Sequence, residues 1–270
     1  MSYQIRSHGD VQFVAYDSLS QVRHGFSLRK GGVSAGHCAS LNFTPNTGDS
    51  LENVVENYRL LSEAIGVEPG SLCLSKQVHG TVIEQVDSRL AGNGLSREQA
   101  FAECDGLITD DPAVTLVTFY ADCCPVMVYD PVHQAVGTAH AGWKGTASSI
   151  GSRLVEAMAE RFGSDPQQIR ASIGPCIGQC CFETHADVPD AMTEQLGDMV
   201  DPYVRNLAGG KYKVDLIGIN RQVLLGAGLR PENISVCDLC TCCNEDEFYS
   251  HRRNGLQRGS MVAVISCCRS

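Results

Sequence analysis

Apolar positions recur along this chain in two rhythms. In GDSLENVVENYRLLSEAIG, residues Leu51, Val54, Val55, Tyr58, Leu61 and Ile65 fall three and four apart, a spacing that lays them on one face of a helix. Asp49 and Glu52 have the spacing of a capping box, and Gly66 stands where such a helix would close. A second helix is predicted over 146–162, with Ile150, Leu154, Ala157, Met158 and Phe162 inward and Gly163 as terminator. A third follows Asp215 and carries Leu216, Ile219, Val223 and Leu224 toward the core. Pro189 suits the first turn of a further helix through Ala191 and Leu196. The second rhythm is a set of short β-branched runs: GLITD, AVTLVTFYA, PVMVYD, QAVGTAH, IRASIG, NISVCD and MVAVIS. They are too short for buried helices and read as strands. PVMVYDPVHQAVGTAH reads as a hairpin turning at Asp130-Pro131, so several strands are antiparallel and the sheet is mixed. With no linker, low-complexity tract or internal repeat, the pattern predicts one α/β domain over 1–270.

Composition narrows the function classes. Hydrophobic residues make up 43% and charged residues 19% of the 270, a globular balance with enough chain for a substantial core. A net charge of -10 argues against general affinity for nucleic acid or anionic membrane. MSYQIRSHGD lacks a basic stretch followed by an apolar run, and no apolar run is long enough to span a bilayer. The expectation is a cytoplasmic enzyme or binding protein with no obligate protein partner. The 14 cysteines do not suggest a disulfide grid, since disulfide-dense domains are mostly small and secreted. In a strand, neighbours point to opposite faces, so each adjacent pair, such as Cys123-Cys124 or Cys180-Cys181, is expected to send one sulfur into any shared site. Most should be small buried hydrophobes.

Three segments offer a metal-capable side chain beside a turn: His79 in SKQVHGTV, Cys123 in ADCCPV and His140 in GTAHAGWKGTA. Two imidazoles and a thiolate suit zinc and leave a fourth position open, but the three are not clustered in sequence and a lone histidine at a strand end is more often a satisfied or surface one; Cys123 with His140 also suits a thiolate nucleophile and its base. GTAHAGWKGTASSIG has a second reading, in which a strand, glycine turn and helix start form an anion site. Lys144 would add charge there and Trp143 could stack on a planar ligand, against the plainer reading of a solvated lysine and a packed tryptophan. Arg29 in FSLRKGGVS and Arg252 in FYSHRRNG are further cations whose forks suit phosphate, against the plainer reading of solvated surface arginines, which is favoured for either one taken singly. CDLCTCCN looks like half of a zinc ribbon, with GPCIGQCCFE as its nearest complement. A second, structural zinc is the less favoured reading.

FSLRKGGVS, SLNFTPNTGD, KQVHG, DGLITD, ADCCPV, HAGWKGTA, GPCIGQCCFE, VDLIGINRQVL and CTCC followed by FYSHRRNG occur in one order. Together they resemble the polyphenol-oxidase or laccase-domain family of purine nucleoside phosphorylases, from about Phe26 to the C-terminus. The resemblance implies a four-layer α/β/β/α arrangement and one metal bound by His79, Cys123 and His140, with Cys124 as filler. It also implies phosphorolysis of adenosine, inosine, guanosine or methylthioadenosine to a free base and ribose 1-phosphate, with adenosine deamination as a second activity. The partners would then be a purine nucleoside and inorganic phosphate, and the cofactor Zn2+, with Cu2+ as the alternative. Asp122 is expected to orient a histidine or move protons, or else to cap a strand end. Lys144 stands where the family commonly has arginine, His251 where it has tyrosine, and LQRGSM reverses the usual Gly-Arg order. Two rivals remain. A copper-dependent polyphenol oxidase would need multi-site histidine pairs, and this chain has 8 histidines and no His-x-His. The other rival is a metal-free Cys-His hydrolase.

Overall fold

In the computed structural model, which describes residues 3–268, the strands form two six-stranded sheets and a small third one. The first sheet runs in the order β1 (Tyr3–His8), β2 (Val11–Tyr16), β3 (Arg23–Ser27), β15 (Met261–Ser266), β7 (Thr115–Tyr120) and β4 (Leu72–Leu74). Its pairings are antiparallel except β4 on β7. The second runs β14 (Ile234–Val236), β10 (Arg170–Ile173), β8 (Cys124–Asp130), β9 (Ala135–Ala141), β6 (Gly106–Thr109) and β5 (Ile83–Gln85). It is antiparallel in the middle and parallel at both edges. The third consists of β11 (Glu183–Thr184), β13 (Tyr212–Val214) and β12 (Val204–Asn206). The mixed α/β class and all seven strands expected from apolar runs are present.

Two-residue alternation explains how the sheets are buried. Along β15, Met261, Ala263 and Ile265 enter one apolar core while Val262 and Val264 enter another. The latter core is closed by α1 (Leu51–Ile65) through Val54, Tyr58, Leu61 and Ile65. Along β8, Met127 and Tyr129 share the first core with β15, and Cys124, Val126 and Val128 face a third. That third core takes Ile150, Leu154 and Met158 of α3 (Ile150–Phe162), Val188 and Met192 of α4 (Asp187–Leu196), and Leu216, Ile219 and Leu224 of α5 (Leu216–Gly226). Among the described residues, no helix is long and apolar enough to cross a membrane.

Several expectations need local correction. The cap of α1 is Ser50, whose hydroxyl accepts from Asn53 N at 3.1 Å; Asp49 instead accepts from Ser50 N and the Asn53 side chain. Leu51 and Val55 are 55% and 45% exposed, because the inward face admits Asn57 in their place. That amide is fully buried and paired with Val33 N, Ser34 Oγ and Asn42 O. The helix expected over 146–162 is two: α2 (Trp143–Ala147) starts earlier, and Ser149, at φ 57, breaks the path before α3. Cys180 and Cys181 do not point apart. They lie in a turn rather than a strand, and both sulfurs approach Cys243, at 3.5 and 3.3 Å. The short strands β1, β4, β5 and β11–β13 lack a long apolar run and were not anticipated, and neither were β2 and β3.

Candidate active site

Strand register assembles the site. The hairpin of β8 and β9 pairs Cys124 with Ala141, so Cys123 and Gly142 are the next residues beyond the paired ends. On the other side of β9, β6 pairs Gly106 with Ala139, which brings Asp105 beside His140; the His140 N–H donates to the Asp105 carbonyl at 2.8 Å. His79 arrives from the loop between β4 and β5 in a left-handed conformation, φ 62, which a non-glycine residue adopts only when its surroundings hold it there.

Asp105 is what holds it. Its buried carboxylate accepts the backbone N–H groups of Val78, His79 and Gly80 at 2.9–3.0 Å. The same group pairs with His140 Nδ1 at 2.9 Å. A carboxylate on Nδ1 leaves Nε2 as the free ring nitrogen. The rings of His79 and His140 meet edge-on with centroids 4.8 Å apart, and Cys123 Sγ lies 3.9 Å from His79 Nε2. One donor atom from each of His79, Cys123 and His140 lies within 4.8 Å of the others. Gly142 makes room for this. A Cβ there would stand 3.0 Å from the His79 ring, 3.2 Å from Cys123 Sγ and 3.6 Å from the His140 ring.

The electrostatics match the geometry. Burial by itself would raise the Cys123 thiol, but the charge and hydrogen bond of His140, then those of His79, outweigh it and bring it down to about 6. Burial would likewise lower His140, and the neighbouring Cys123 and Asp105 overcome it, raising the imidazole to about 9. The set therefore favours a thiolate beside an imidazolium, a reactive thiolate form; a cation bound here would take the thiolate directly and displace the Nε2 proton of His140.

The triad opens on a cavity of about 310 Å³ lined by His79 and Cys123 on one side and by Trp143, Ile177, Phe182 and Leu216 as an apolar wall. Arg252, Arg258 and His251 complete it, giving the mostly apolar lining with few polar groups typical of small-molecule sites. Of the residues singled out from the sequence, His79, Cys123, His140, Trp143 and Arg252 come together here. Lys144 is exposed, with Nζ 5.6 Å over the Trp143 ring, and is not part of the lining. Arg29 is not brought to the cavity: its guanidinium donates to the carbonyls of Ala39 and Glu245 and lies over the Tyr249 ring. Asp122 borders the cavity, but its carboxylate accepts from Thr241 Oγ1, Ser250 Oγ and Arg252 N. It ties two loops together, and the histidine-orienting carboxylate is Asp105. Cys124 is fully buried in the core beneath β8.

As site residues, the apolar wall of Ile177, Phe182 and Leu216 escaped the sequence reading, and so did two polar residues. Asp105 was visible only as the first residue of DGLITD, with nothing local to mark it as a partner of His140. Arg258, in LQRGSM, is half-buried, donates to Gly259 O and Ser260 Oγ, and keeps a buried Nε with no partner. Burial lowers its guanidinium, against the opposing pull of Asp122 and Cys123.

Two histidines and a thiol converging beside a small, aromatic-walled pocket define a candidate metal-binding α/β protein. The chain belongs to the family described as multi-copper polyphenol oxidoreductase laccase, which matches residues 23–268. It is 34% identical to a purine nucleoside phosphorylase of Bacteroides thetaiotaomicron, over 95% of this chain and 96% of that one. It is 32% identical to a protein of an unknown prokaryotic organism named adenosine deaminase RL5, over 89% and 92%. The crystal structure of the Bacillus licheniformis protein YfiH is similar at a TM-score of 0.92 and 34% identity, covering 98% of this chain and 99% of that one.

Proposed function

We propose that this protein is a zinc-dependent purine nucleoside phosphorylase that acts as one domain in the cytoplasm. The observation that carries the reading is the joining of the His79–Cys123–His140 donor set to a pocket with an aromatic wall and two arginines. Relatives bearing the phosphorylase name over nearly the whole chain support it. The substrates would be adenosine, inosine, guanosine or methylthioadenosine.

His79 Nε2, Cys123 Sγ and His140 Nε2 would hold the cation, with Asp105 fixing the tautomer of His140. When bound, the cation supplies Lewis acidity at the pocket's edge. Trp143 and Phe182 present flat apolar surface to a purine. Arg258, with its unpaired Nε, and Arg252 supply the cationic side for phosphate. In the reaction a phosphate oxygen bonds to C1′ as the glycosidic C1′–N9 bond breaks. The electron pair leaves with the base, which takes up the proton that the attacking hydrogen phosphate gives up. The arginines offset charge on the incoming phosphate and the apolar wall excludes water, which would otherwise compete as nucleophile.

Copper is a less suitable resident for oxidase chemistry. Among the described residues, only one cluster of three or more metal-capable side chains contains histidine, whereas four-electron reduction of oxygen needs several histidine-bound coppers. Deamination of adenosine is a second reading, favoured by the name of the RL5 relative. Incubation with adenosine and inosine, with and without phosphate, tests the proposal: base and ribose 1-phosphate should appear together and only with phosphate. Equal base release without phosphate would overturn phosphorolysis, and conversion of adenosine to inosine would establish deamination.

A further inference from the structure

The cysteines not used by the first site contain a second cluster. Cys180 and Cys181 lie in the turn before β11, and Cys240 and Cys243 in the loop after β14. All are free thiols, and the four sulfurs lie within 4.8 Å of one another. A tetrahedral cation with sulfurs at about 2.3 Å spaces them by about 3.8 Å. The sulfur separations run from 3.3 and 3.5 Å to Cys243 up to at most 4.8 Å, a range that contains that spacing.

Cys240 has the surroundings of a thiolate, whereas burial and the neighbouring sulfurs raise the thiols of Cys180 and Cys181, as crowding of four sulfurs without a cation between them would. Gly178 N donates to Cys240 Sγ at 3.2 Å; burial would raise this thiol, but the backbone N–H groups of Gly178, Cys243 and Cys242, with the Cys180 side chain, bring it down. This is a Cys-x-x-Cys turn wrapped around its first sulfur, and such N–H groups support a negatively charged ligand. A Cβ at Gly178 would lie 3.1 Å from Cys240 Cβ and 3.2 Å from Cys180 Sγ, so a side chain there would crowd the approach of its N–H to the sulfur. Three cations bond to the backbone of the cluster itself. Lys213 donates to Cys180 O, Arg252 to Cys181 O, and Arg253 to Thr241 O and Cys242 O. Four thiolates around a dication carry a net charge of about −2, and these three cations would offset it.

We propose that Cys180, Cys181, Cys240 and Cys243 form a second, structural metal site that takes a thiophilic dication, zinc in the cell. Its place in the fold indicates what it does. The turn that carries Cys180 and Cys181 leads into Phe182, and Arg252 is tied to Cys181; both residues line the active-site cavity. A cation bridging the two loops would pin that wall.

The test uses the full chain carrying Cys123→Ala, which removes the only sulfur of the first site. Titration with Co2+ should give one equivalent bound with an intense thiolate-to-cobalt charge-transfer band, displaced by Zn2+. Wild-type protein should hold two zinc per chain, and the Cys180→Ser/Cys243→Ser variant one. Absence of the charge-transfer band in reduced Cys123→Ala protein would overturn the proposal. So would a mass two hydrogens low under non-oxidising purification, which would reveal a disulfide among the four instead. The Cys123→Ala arm keeps all four cysteines and decides the matter even where the double serine variant fails to fold.

Discussion

Asp105 does more for the site than any residue that would touch a metal. It fixes the unusual backbone of His79 through three N–H groups and the tautomer of His140 through Nδ1. Asp105→Asn should weaken zinc binding at the first site by roughly 10- to 100-fold, measured by chelator competition; an unchanged affinity would remove it from the positioning role. Cys123→Ala should empty that site while Cys124→Ala leaves it filled, since only Cys123 has its sulfur among the donors. In chelated protein the Cys123 thiol sits near 6, so its alkylation by iodoacetamide should be fast at pH 7 and decline as pH falls through about 6. Zinc should protect it, because a coordinated thiolate has its lone pair engaged. Rapid alkylation of loaded protein, with activity indifferent to chelators, would favour the Cys-His hydrolase.

Single elements carry their own tests. Ser50 caps α1, so Ser50→Ala should cost about 1 kcal/mol, read as a lower denaturation midpoint with unchanged slope. In β3, His24 is buried with Nε2 accepting from Tyr16 N at 2.8 Å and Nδ1 donating to Val22 O. Burial dominates and lowers it to about 4, so the folded state holds it neutral. Its folded value lies below the unfolded one, so its contribution is present above pH 6.5 and lost as pH falls toward 4. That loss amounts to about 3 kcal/mol. An NMR titration should show His24 silent between pH 7 and 5; a midpoint near 6.5 would contradict the burial argument. Gly142, between β9 and α2, is required by crowding rather than by its backbone angles. Gly142→Ala should therefore weaken metal binding while leaving the fold's circular dichroism unchanged.

At the scale of the whole molecule, the cavity is shared by loops far apart in sequence, and Arg258 enters it from the segment before the central strand β15. Arg258→Met should raise the phosphate KM several-fold with a smaller change for nucleoside. Arg29→Ala should leave the phosphate KM alone and lower the unfolding midpoint, because Arg29 clamps loop carbonyls. These expectations show where sequence and structure divide. Apolar rhythm alone determined α1, α3 and α5, the β8–β9 hairpin and the mixed character of the sheets, because each follows from spacing within a short window. The histidines and cysteine of the triad stood out by residue type beside marked turns, and motif order joined them. Tertiary structure alone decided that Asp105, not Asp122, orients His140, since that contact depends on the register of β6 against β9. It alone replaced Arg29 with Arg258 at the cavity and turned Cys180 and Cys181 toward Cys243. Sequence spacing describes which faces are apolar; which side chains meet across loops is set by how the sheets pack.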